Sequence, residues 1–186
     1  LYSKSNVMNY IQYYDDIMKK DLCEELIDKF ENSPEHYDVR SNKTMDFTQI
    51  NLVQNKDWNK YVNPLSKIFS SCIERYKSDC NVVGNMWPKK YGFEEFRLKR
   101  YLPNGVDEFR NHVDVTRYAT ARRFLVFFLY LDDNEMGHTT FPQMDISVQP
   151  KVGRMLMFPP MWTHLHAGTK PIKKPKYIIG SYLHYV

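Results

Sequence analysis

The feature that most restricts the fold of this chain is a change of hydrophobic period near residue 93. From that point apolar and polar residues alternate in short runs separated by turn signals, as they do in strands whose two faces differ. Eight short strands in one domain are typical of a jelly roll. The predicted strands lie at 94–102, 109–115, 122–131, 138–141, 145–149, 154–158, 162–167 and 175–185.

The first half of the chain has helical rather than strand periodicity. Asp21 and Glu24 have the spacing of a helix start, and apolar residues follow at helical intervals. A second helix is predicted with Asn63 as its cap and Pro64 in its first position. The predicted fold is therefore mainly β with flanking helices (α+β), a double-stranded β-helix of the jelly-roll or cupin-like type with an N-terminal helical layer.

The length and composition favour one domain. A chain of 186 residues with 42% hydrophobic composition can build one good core, and two would be hard to fill. We expect a single domain over 1–186, in which 1–90 is a helical N-terminal scaffold and 91–186 is the double-stranded β-helix core.

The sequence gives several indications about compartment and partners. The longest apolar run, 124–131, is too short to span a bilayer, so no membrane partner is expected. No signal-peptide pattern is visible, and three cysteines without metal-type spacing favour free thiols in a reducing compartment. We expect a soluble, intracellular (cytoplasmic) protein. The +4 charge is dispersed, which disfavours nucleic acid as a partner, and no pattern indicates an oligomeric state.

Three residues form a candidate metal site. His112 and Asp114 are two positions apart in a predicted strand, so their side chains point to the same face. His166 lies in a late strand that a jelly roll can bring alongside them. Two histidines and one carboxylate on one side of a metal leave its other coordination positions open. This arrangement is typical of Fe(II) oxygenases.

Motifs spread over most of the chain accompany this triad, and together they resemble the prolyl 4-hydroxylase-like family of Fe(II)- and 2-oxoglutarate-dependent oxygenases. The matching residues are, in order, Tyr14-Asp15-Asp16 and Leu22-Cys23-Glu24-Glu25-Leu26-Ile27; Tyr101, Gly105, Phe109, His112 and Asp114; Arg123; Tyr130-Leu131-Asp132-Asp133; Gly137-His138-Thr139-Thr140-Phe141-Pro142; Pro150, Gly153 and Phe158; and His166-Ala167-Gly168 with Lys176-Tyr177.

The resemblance implies an enzyme, its cofactors and its site residues. It implies Fe(II) held by His112, Asp114 and His166, with 2-oxoglutarate and O2 as cosubstrates and ascorbate as a candidate accessory reductant. It implies a dioxygenase that hydroxylates an unactivated C–H bond and releases succinate and CO2. Lys176 is the candidate cation for the distal carboxylate of 2-oxoglutarate, and Thr139 and Tyr101 are candidate donors to the same molecule.

The resemblance favours a prolyl residue in a peptide or protein as the substrate, and a free amino acid or another small molecule is the alternative. Phe109 replaces a Tyr that many family members have, and Tyr177 and Tyr182 stand at positions where Trp is frequent. Met136 stands where the first Gly of a usual pair is expected, and the turn after Tyr101 is one residue longer.

Three further alternatives stay open on the sequence. A cupin would bind metal through His164 and His166, and in that protein Asp114→Ala would retain the metal. A nucleic-acid demethylase also uses His-x-Asp and a distal His, but an Arg pair after His166 would be expected, and only Lys follows. A non-catalytic jelly-roll binding module would form no succinate. The arginines Arg117, Arg122 and Arg123 are interpreted as members of a solvated loop, with substrate contact as the sharper hypothesis.

Overall fold

The computed structural model describes residues 9–186, and residues 1–8, where no signal-peptide pattern was found, lie outside the described residues. Three α-helices and twelve strands make up the regular structure of the described chain. In order they are β1 (Gln12–Tyr14), α1 (Lys20–Glu31), β2 (Asp38–Ser41), β3 (Met45–Asn51), α2 (Asn59–Ser71), α3 (Ile73–Asp79), β4 (Tyr91–Phe93), β5 (Arg97–Tyr101), β6 (Glu108–His112), β7 (Arg123–Tyr130), β8 (Thr139–Phe141), β9 (Ile146–Val148), β10 (Met155–Phe158), β11 (His166–Gly168) and β12 (Lys176–Tyr185).

All these strands belong to one antiparallel sheet that curls over itself. Its order is β1-β10-β7-β12-β5-β3-β6-β11-β8-β9, with β2 paired to β3 and β4 paired to β12. Six strands separate β10 from β8 in that order, yet Phe158 on β10 meets Phe141 on β8 edge-on, with ring centroids 4.8 Å apart. The predicted mainly β, double-stranded β-helix fold with flanking helices is confirmed.

The sheet has a hydrophobic core on each side. The outer core lies between the sheet and the helices and includes Phe30, Leu65 and Phe69. The inner core fills the space inside the curled sheet, where aromatic rings such as Tyr101 and Tyr130 are buried. Because β7 and β12 have both faces covered, their sequences are almost continuously apolar where they cross the middle of the sheet.

The N-terminal half differs from its prediction in two respects. Helix α2 begins at Asn59, so Asn63 does not cap it and Pro64 lies inside it. A proline at this sixth helical position removes one intrahelical hydrogen bond, because it has no backbone N–H. Residues before position 90 also supply β1, β2 and β3, so this half is not purely helical.

The predicted strands after residue 93 all occur, with one of them much shortened. The predicted strand 162–167 is confined to His166–Gly168, because the residues after Pro159 and Pro160 form a loop. Arg123 begins β7 and is therefore not part of the loop that follows the metal strand. All three cysteines are buried and unpaired, as predicted. Within the described chain, none of the helices has the length and apolar character needed to cross a membrane.

Candidate active site

Strand pairing brings the two candidate histidine ligands together. Strands β6 and β11 are antiparallel neighbours, and His166 lies directly opposite His112 in their register. The two imidazole centroids are 4.2 Å apart. Asp114 follows the end of β6, and its backbone N–H donates to the carbonyl oxygen of Pro160 at 3.2 Å. That bond fixes the segment carrying the carboxylate against the loop that precedes β11.

The three side chains converge on one point. Nε2 of His112 lies 3.6 Å from Oδ1 of Asp114, and Nε2 of His166 lies 3.6 Å from Oδ2 of the same carboxylate. One ligand atom from each residue lies within 4.8 Å of the others. Both Nε2 atoms and Asp114 Oδ2 are buried, and none of the three has a hydrogen-bond partner in the part of the chain that the structure describes. Because buried polar atoms are normally paired, three such atoms facing one another mark a place for a cation.

Backbone carbonyls orient both imidazoles. Nδ1 of His112 is 2.7 Å from the carbonyl oxygen of Arg110, and Nδ1 of His166 is 3.0 Å from that of His164. A carbonyl oxygen can only accept, so each Nδ1 must be the protonated nitrogen. Each Nε2 is then left with a free lone pair directed at Asp114, which is the tautomer that a metal ligand needs.

Two further side chains hold the triad in place. The Tyr182 hydroxyl on β12 donates to Oδ1 of Asp114 at 2.8 Å. The Phe109 ring stacks on the His112 imidazole, with centroids 3.5 Å apart and planes 7° from parallel. Two of the residues that depart from the family pattern, Phe109 and Tyr182, therefore contact the candidate ligands.

The electrostatics of the site favour the metal-binding protonation states. Burial alone would raise the pKa of Asp114, but interactions with His112 and His166 hold it at about 2. Burial lowers the pKa of His166 to about 4, against the opposing effect of the Asp114 charge. At neutral pH Asp114 is a carboxylate and His166 is neutral. This donor set, two imidazoles and one carboxylate, fits Fe(II).

Lys176 occupies a second buried site next to the triad strands. Its side chain is buried, and its ammonium donates to the carbonyl oxygens of Gly137 at 2.9 Å and Thr169 at 3.3 Å. Burial lowers the pKa of Lys176 to about 7, while the Asp132 charge opposes the shift. An ammonium has three donors, so one N–H is left for an anion.

The other predicted cosubstrate residues lie in the same inner core. Lys176 Nζ is 4.2 Å from the centroid of the Tyr101 ring. Thr139 is buried, and its Oγ1 accepts a hydrogen bond from the Tyr130 hydroxyl at 2.7 Å, which leaves the threonine hydrogen free to donate. The structure brings Tyr101 to Lys176 directly. No hydrogen bond joins Thr139 to Lys176 among the described residues. Thr139 lies opposite Gly168 in the pairing of β8 and β11, and a Cβ at Gly168 would lie 3.4 Å from Lys176 Nζ.

Gly137 shapes the Lys176 site. Its φ is +73°, in the left-handed region, and a Cβ placed there would lie 3.1 Å from Cδ of Lys176. Glycine accepts this backbone conformation without strain and leaves room for the lysine stem. The conformation also directs the Gly137 carbonyl at the ammonium.

An open cleft of about 850 Å³ reaches the triad from one side. His112 and Asp114 are at its inner wall, and Lys99 on β5 projects into it. Most of its charged lining is basic. The basic residues are Arg40, Arg97, Lys99, Arg117 and Arg123.

Two site residues, Tyr130 and Lys99, were not identified from the sequence as members of the site, and for a third, Tyr182, the contact with Asp114 was not predicted. Each of the three lies on a strand face that points inward. Alternation would have placed Lys99 on the same face of β5 as Tyr101, which was the available signal. For Tyr182 and Tyr130 no local signal exists, since their partners are distant in sequence.

The remaining sequence candidates lie outside the triad. His164 is buried, and its Nδ1 is 2.8 Å from Oγ1 of Thr163. Within residues 9–186 the convergent cluster of ligand atoms does not include it, which disfavours the cupin alternative. Arg123 makes a two-oxygen ion pair with Glu94 and stacks over Tyr182, so its role is structural.

The comparisons with known proteins agree with this geometry. Residues 96–184 match the family model described as the 2OG-Fe(II) oxygenase superfamily. No curated protein matches the sequence. This family implies Fe(II), 2-oxoglutarate and O2, and the matched segment contains all three residues of the convergent triad.

Several solved structures share the fold. A viral collagen prolyl hydroxylase from Paramecium Bursaria Chlorella virus-1, in complex with 2OG, is 21% identical with a TM-score of 0.72, over 96% of this chain and 97% of that one. A Pseudomonas putida prolyl-4-hydroxylase is 15% identical with a TM-score of 0.66, over 95% and 92%.

A Trichoplax adhaerens prolyl hydroxylase, in complex with a peptide fragment of the hypoxia inducible factor oxygen degradation domain, is also similar. It is 15% identical with a TM-score of 0.71, over 95% of this chain and 84% of that one. At these identities the likeness shows the fold alone. The type of reaction is indicated by the family match over 96–184. The protein is therefore a 2-oxoglutarate-dependent dioxygenase of the 2OG-Fe(II) oxygenase superfamily, with a prolyl 4-hydroxylase-like fold.

Proposed function

We propose that the enzyme hydroxylates a prolyl residue in a peptide or protein, consuming 2-oxoglutarate and O2 and releasing succinate and CO2. His112, Asp114 and His166 are the proposed Fe(II) ligands. The observation that carries this proposal is the set of three buried, unpartnered ligand atoms that face one another. Within residues 9–186, His112 Nε2, His166 Nε2 and Asp114 Oδ2 have no hydrogen-bond partner.

Bound iron would supply the oxidative chemistry, and the protein's own residues would prepare the ligands and position the reactants. The carbonyls of Arg110 and His164 keep the proton on Nδ1 of each histidine. The Tyr182 hydroxyl orients the Asp114 carboxylate. These contacts fix the ligands before metal arrives, which lowers the cost of binding it.

The proposed place of the distal carboxylate of 2-oxoglutarate is beside Lys176. A buried ammonium with one free donor attracts an anion strongly, because little water competes for it. The free hydroxyl hydrogen of Thr139 and the hydroxyl of Tyr101 are additional candidate donors. A bound carboxylate would also compensate the burial that lowers the pKa of Lys176.

The surface around the triad supports a peptide substrate. Trp162 is 76% exposed and belongs to the loop whose Pro160 carbonyl holds the Asp114 segment. Tyr118, in the loop that follows that segment, is 98% exposed. Large exposed aromatic residues beside an open cleft are typical of surfaces that bind other chains. The peptide complex of the Trichoplax relative supports the same choice.

We further propose that the chain works as a single domain. Strands β1 and β3 come from the N-terminal half but pair with β10, β5 and β6 of the C-terminal half. Helices α1 and α2 cover the outer face of the same sheet. Separating 1–90 from 91–186 would therefore break a continuous hydrogen-bonded sheet and expose its core.

The test is succinate formation from 2-oxoglutarate with Fe(II), O2 and ascorbate as a reductant, with prolyl peptides and free amino acids as substrates. We expect Asp114→Ala to abolish turnover and to lose the bound metal, because the substitution removes one of three ligands. Asp28→Ala, at an exposed position on α1, is the control and should behave like the wild type.

The outcomes separate the possible substrates and functions. Stimulation by prolyl peptides, with hydroxyproline in the product, supports the proposal. Stimulation by free amino acids alone would indicate that the enzyme is a small-molecule hydroxylase. A protein that binds neither Fe(II) nor 2-oxoglutarate would be a non-catalytic jelly-roll module, and the proposal would fail.

A further inference from the structure

We propose that Lys99 recognises the primary substrate by binding one of its carboxylate groups in the cleft beside the triad. This inference rests on the proposed function in one respect, because it requires that the substrate enters that cleft. It adds to that function a charge requirement: the group to be hydroxylated is carried by a molecule with a nearby carboxylate.

Lys99 is a buried cation without a partner. Its residue exposure is only 9%. Within residues 9–186 its ammonium makes neither a hydrogen bond nor an ion pair. The Asp114 carboxylate, a proposed metal ligand, attracts it from beyond ion-pair distance, and three aromatic rings face it. Nζ lies 5.0 Å from the ring centroid of Phe47, 5.5 Å from that of Phe109 and 6.0 Å from that of Phe128. A buried lysine is costly unless it is paired, so this one is best explained by a ligand that is not part of the chain.

The position of Lys99 points to the cleft. Lys99 lines the cleft together with His112 and Asp114. The Phe109 ring that it faces is the ring stacked on His112, so the ammonium and the triad share an aromatic wall. An anion bound at Lys99 would hold the rest of its molecule next to the triad.

The other cleft cations are mostly neutralised by the protein. Each of three arginines in the lining already has a carboxylate partner. The pairs are Arg40 with Asp38, Arg97 with Glu95 and Arg123 with Glu94. Asp114 is the only acidic residue of the lining, and it is a proposed metal ligand. The cleft therefore has a net positive charge, and Lys99 is its buried cation without an anion.

The geometry separates this site from the proposed cosubstrate site. Lys176 does not line the cleft, and its ammonium is held by two backbone carbonyls in the inner core. Along β12, Lys176 lies opposite Tyr101, and the residue opposite Lys99 is Ile178, two positions further. Lys176 is thus held by backbone carbonyls, whereas Lys99 lines the open cleft and is the lysine that an incoming substrate meets.

The test measures binding rather than turnover, so it does not depend on catalysis. The protein is loaded with Mn(II) and 2-oxoglutarate without O2 and titrated calorimetrically with two matched pairs of probes. The first pair is Ac-Ala-Ala-Glu-Pro-Glu-Ala-Ala-NH2 and the same peptide with Gln for Glu. The second pair is L-proline and L-prolinamide. The peptide pair tests an acidic side chain, and the amino-acid pair tests an α-carboxylate.

We expect the wild type to bind the carboxylate-bearing member of one pair at least tenfold more tightly than its amide counterpart. Lys99→Met should reduce that preference to less than threefold. Lys90→Met, which removes an exposed charge outside the cleft, should keep it. The pair that shows the preference identifies the source of the carboxylate. Equal affinities within both pairs, or no measurable binding of any probe, would overturn the proposal.

A separate titration tests whether Lys99 takes part in binding the cosubstrate. We expect the 2-oxoglutarate affinity of Lys99→Met to stay within threefold of the wild type. A tenfold or greater loss would assign Lys99 to the cosubstrate and refute the proposal. Failure of the proposed function has a different signature, because it would appear as absent Fe(II) or 2-oxoglutarate binding in the wild type itself.

Discussion

The His166 imidazole donates its Nδ1 hydrogen to the backbone carbonyl of His164, at 3.0 Å, so the contact between these two histidines does not involve the His164 side chain. A backbone carbonyl remains when the side chain is truncated. We therefore expect His164→Ala to retain bound Fe(II) and His166→Ala to lose it. Metal content after gel filtration is the measurement, and loss of metal in His164→Ala alone would reverse the ligand assignment.

Tyr182→Phe should weaken metal binding without abolishing it. The substitution removes the hydroxyl that donates to Oδ1 of Asp114 at 2.8 Å but keeps the ring. Losing a partner that orients a ligand typically costs about 10–100-fold in metal affinity. Tyr185→Phe, on the same strand but 53% exposed, is the matched control and should bind like the wild type. Equal affinities in the two variants would show that Tyr182 does not orient the carboxylate.

Lys176→Met should selectively weaken binding of 2-oxoglutarate. Removing one partner of a buried charge pair typically costs about 2–5 kcal/mol. Fe(II) binding should persist, since Lys176 contacts none of the proposed metal ligands among the described residues. Titration of 2-oxoglutarate under nitrogen, with Fe(II) present, measures the loss. Unchanged affinity would remove Lys176 from the site.

The pH dependence of 2-oxoglutarate binding tests the same residue in the wild type. Burial lowers the pKa of Lys176 to about 7, and only the ammonium form attracts a carboxylate. The ammonium is fully present below that pH and is lost as the pH rises through it. The dissociation constant should therefore rise about tenfold between pH 7.5 and pH 8.5. A constant affinity over this range, or the same slope in Lys176→Met, would contradict the assignment.

Lys99→Met should stabilise the protein at pH 7. Burial lowers the pKa of Lys99 to about 8, below its value in the unfolded chain, so keeping it charged in the folded state costs free energy at pH 7. Because its ammonium has no hydrogen-bond partner in residues 9–186, removing it leaves no other group unsatisfied. We expect the free energy of unfolding in urea to rise by about 1–3 kcal/mol. Lys90→Met should change it by less than about 0.5 kcal/mol. A destabilised Lys99→Met would indicate a structural role.

Two glycines with almost equal φ angles allow the cost of a steric contact to be distinguished from the cost of backbone strain. Gly153 has φ +72° and Gly105 has φ +75°. A Cβ at Gly153 would lie 2.3 Å from the carbonyl oxygen of Met18, whereas a Cβ at Gly105 would meet nothing within 4 Å. We expect Gly105→Ala to cost about 1–2 kcal/mol in urea unfolding and Gly153→Ala to cost at least about 2 kcal/mol more. Equal costs would mean that the Met18 segment moves freely.

The sequence by itself determined the features that depend on local spacing. Alternation located the strands after residue 93, and the two-residue interval placed His112 and Asp114 on one side of the chain. The motifs around them, through His166 and Lys176, indicated the oxygenase family that the match over 96–184 then established. These features are local because side-chain direction follows from the period of a strand, whatever that strand pairs with.

Only the tertiary structure decided which distant groups meet. The register of β6 and β11 places His166 opposite His112, and the carbonyl of His164 becomes an orienting group. The order of the sheet inserts β3 between β5 and β6, although the sequence before residue 90 was interpreted as helical. The curl of the sheet brings Tyr182 to Asp114, 68 residues away, and leaves Lys99 buried at the cleft without a partner. The physical reason is that strand pairing uses backbone hydrogen bonds common to all residues, so register and strand order are fixed by the packing of the whole core.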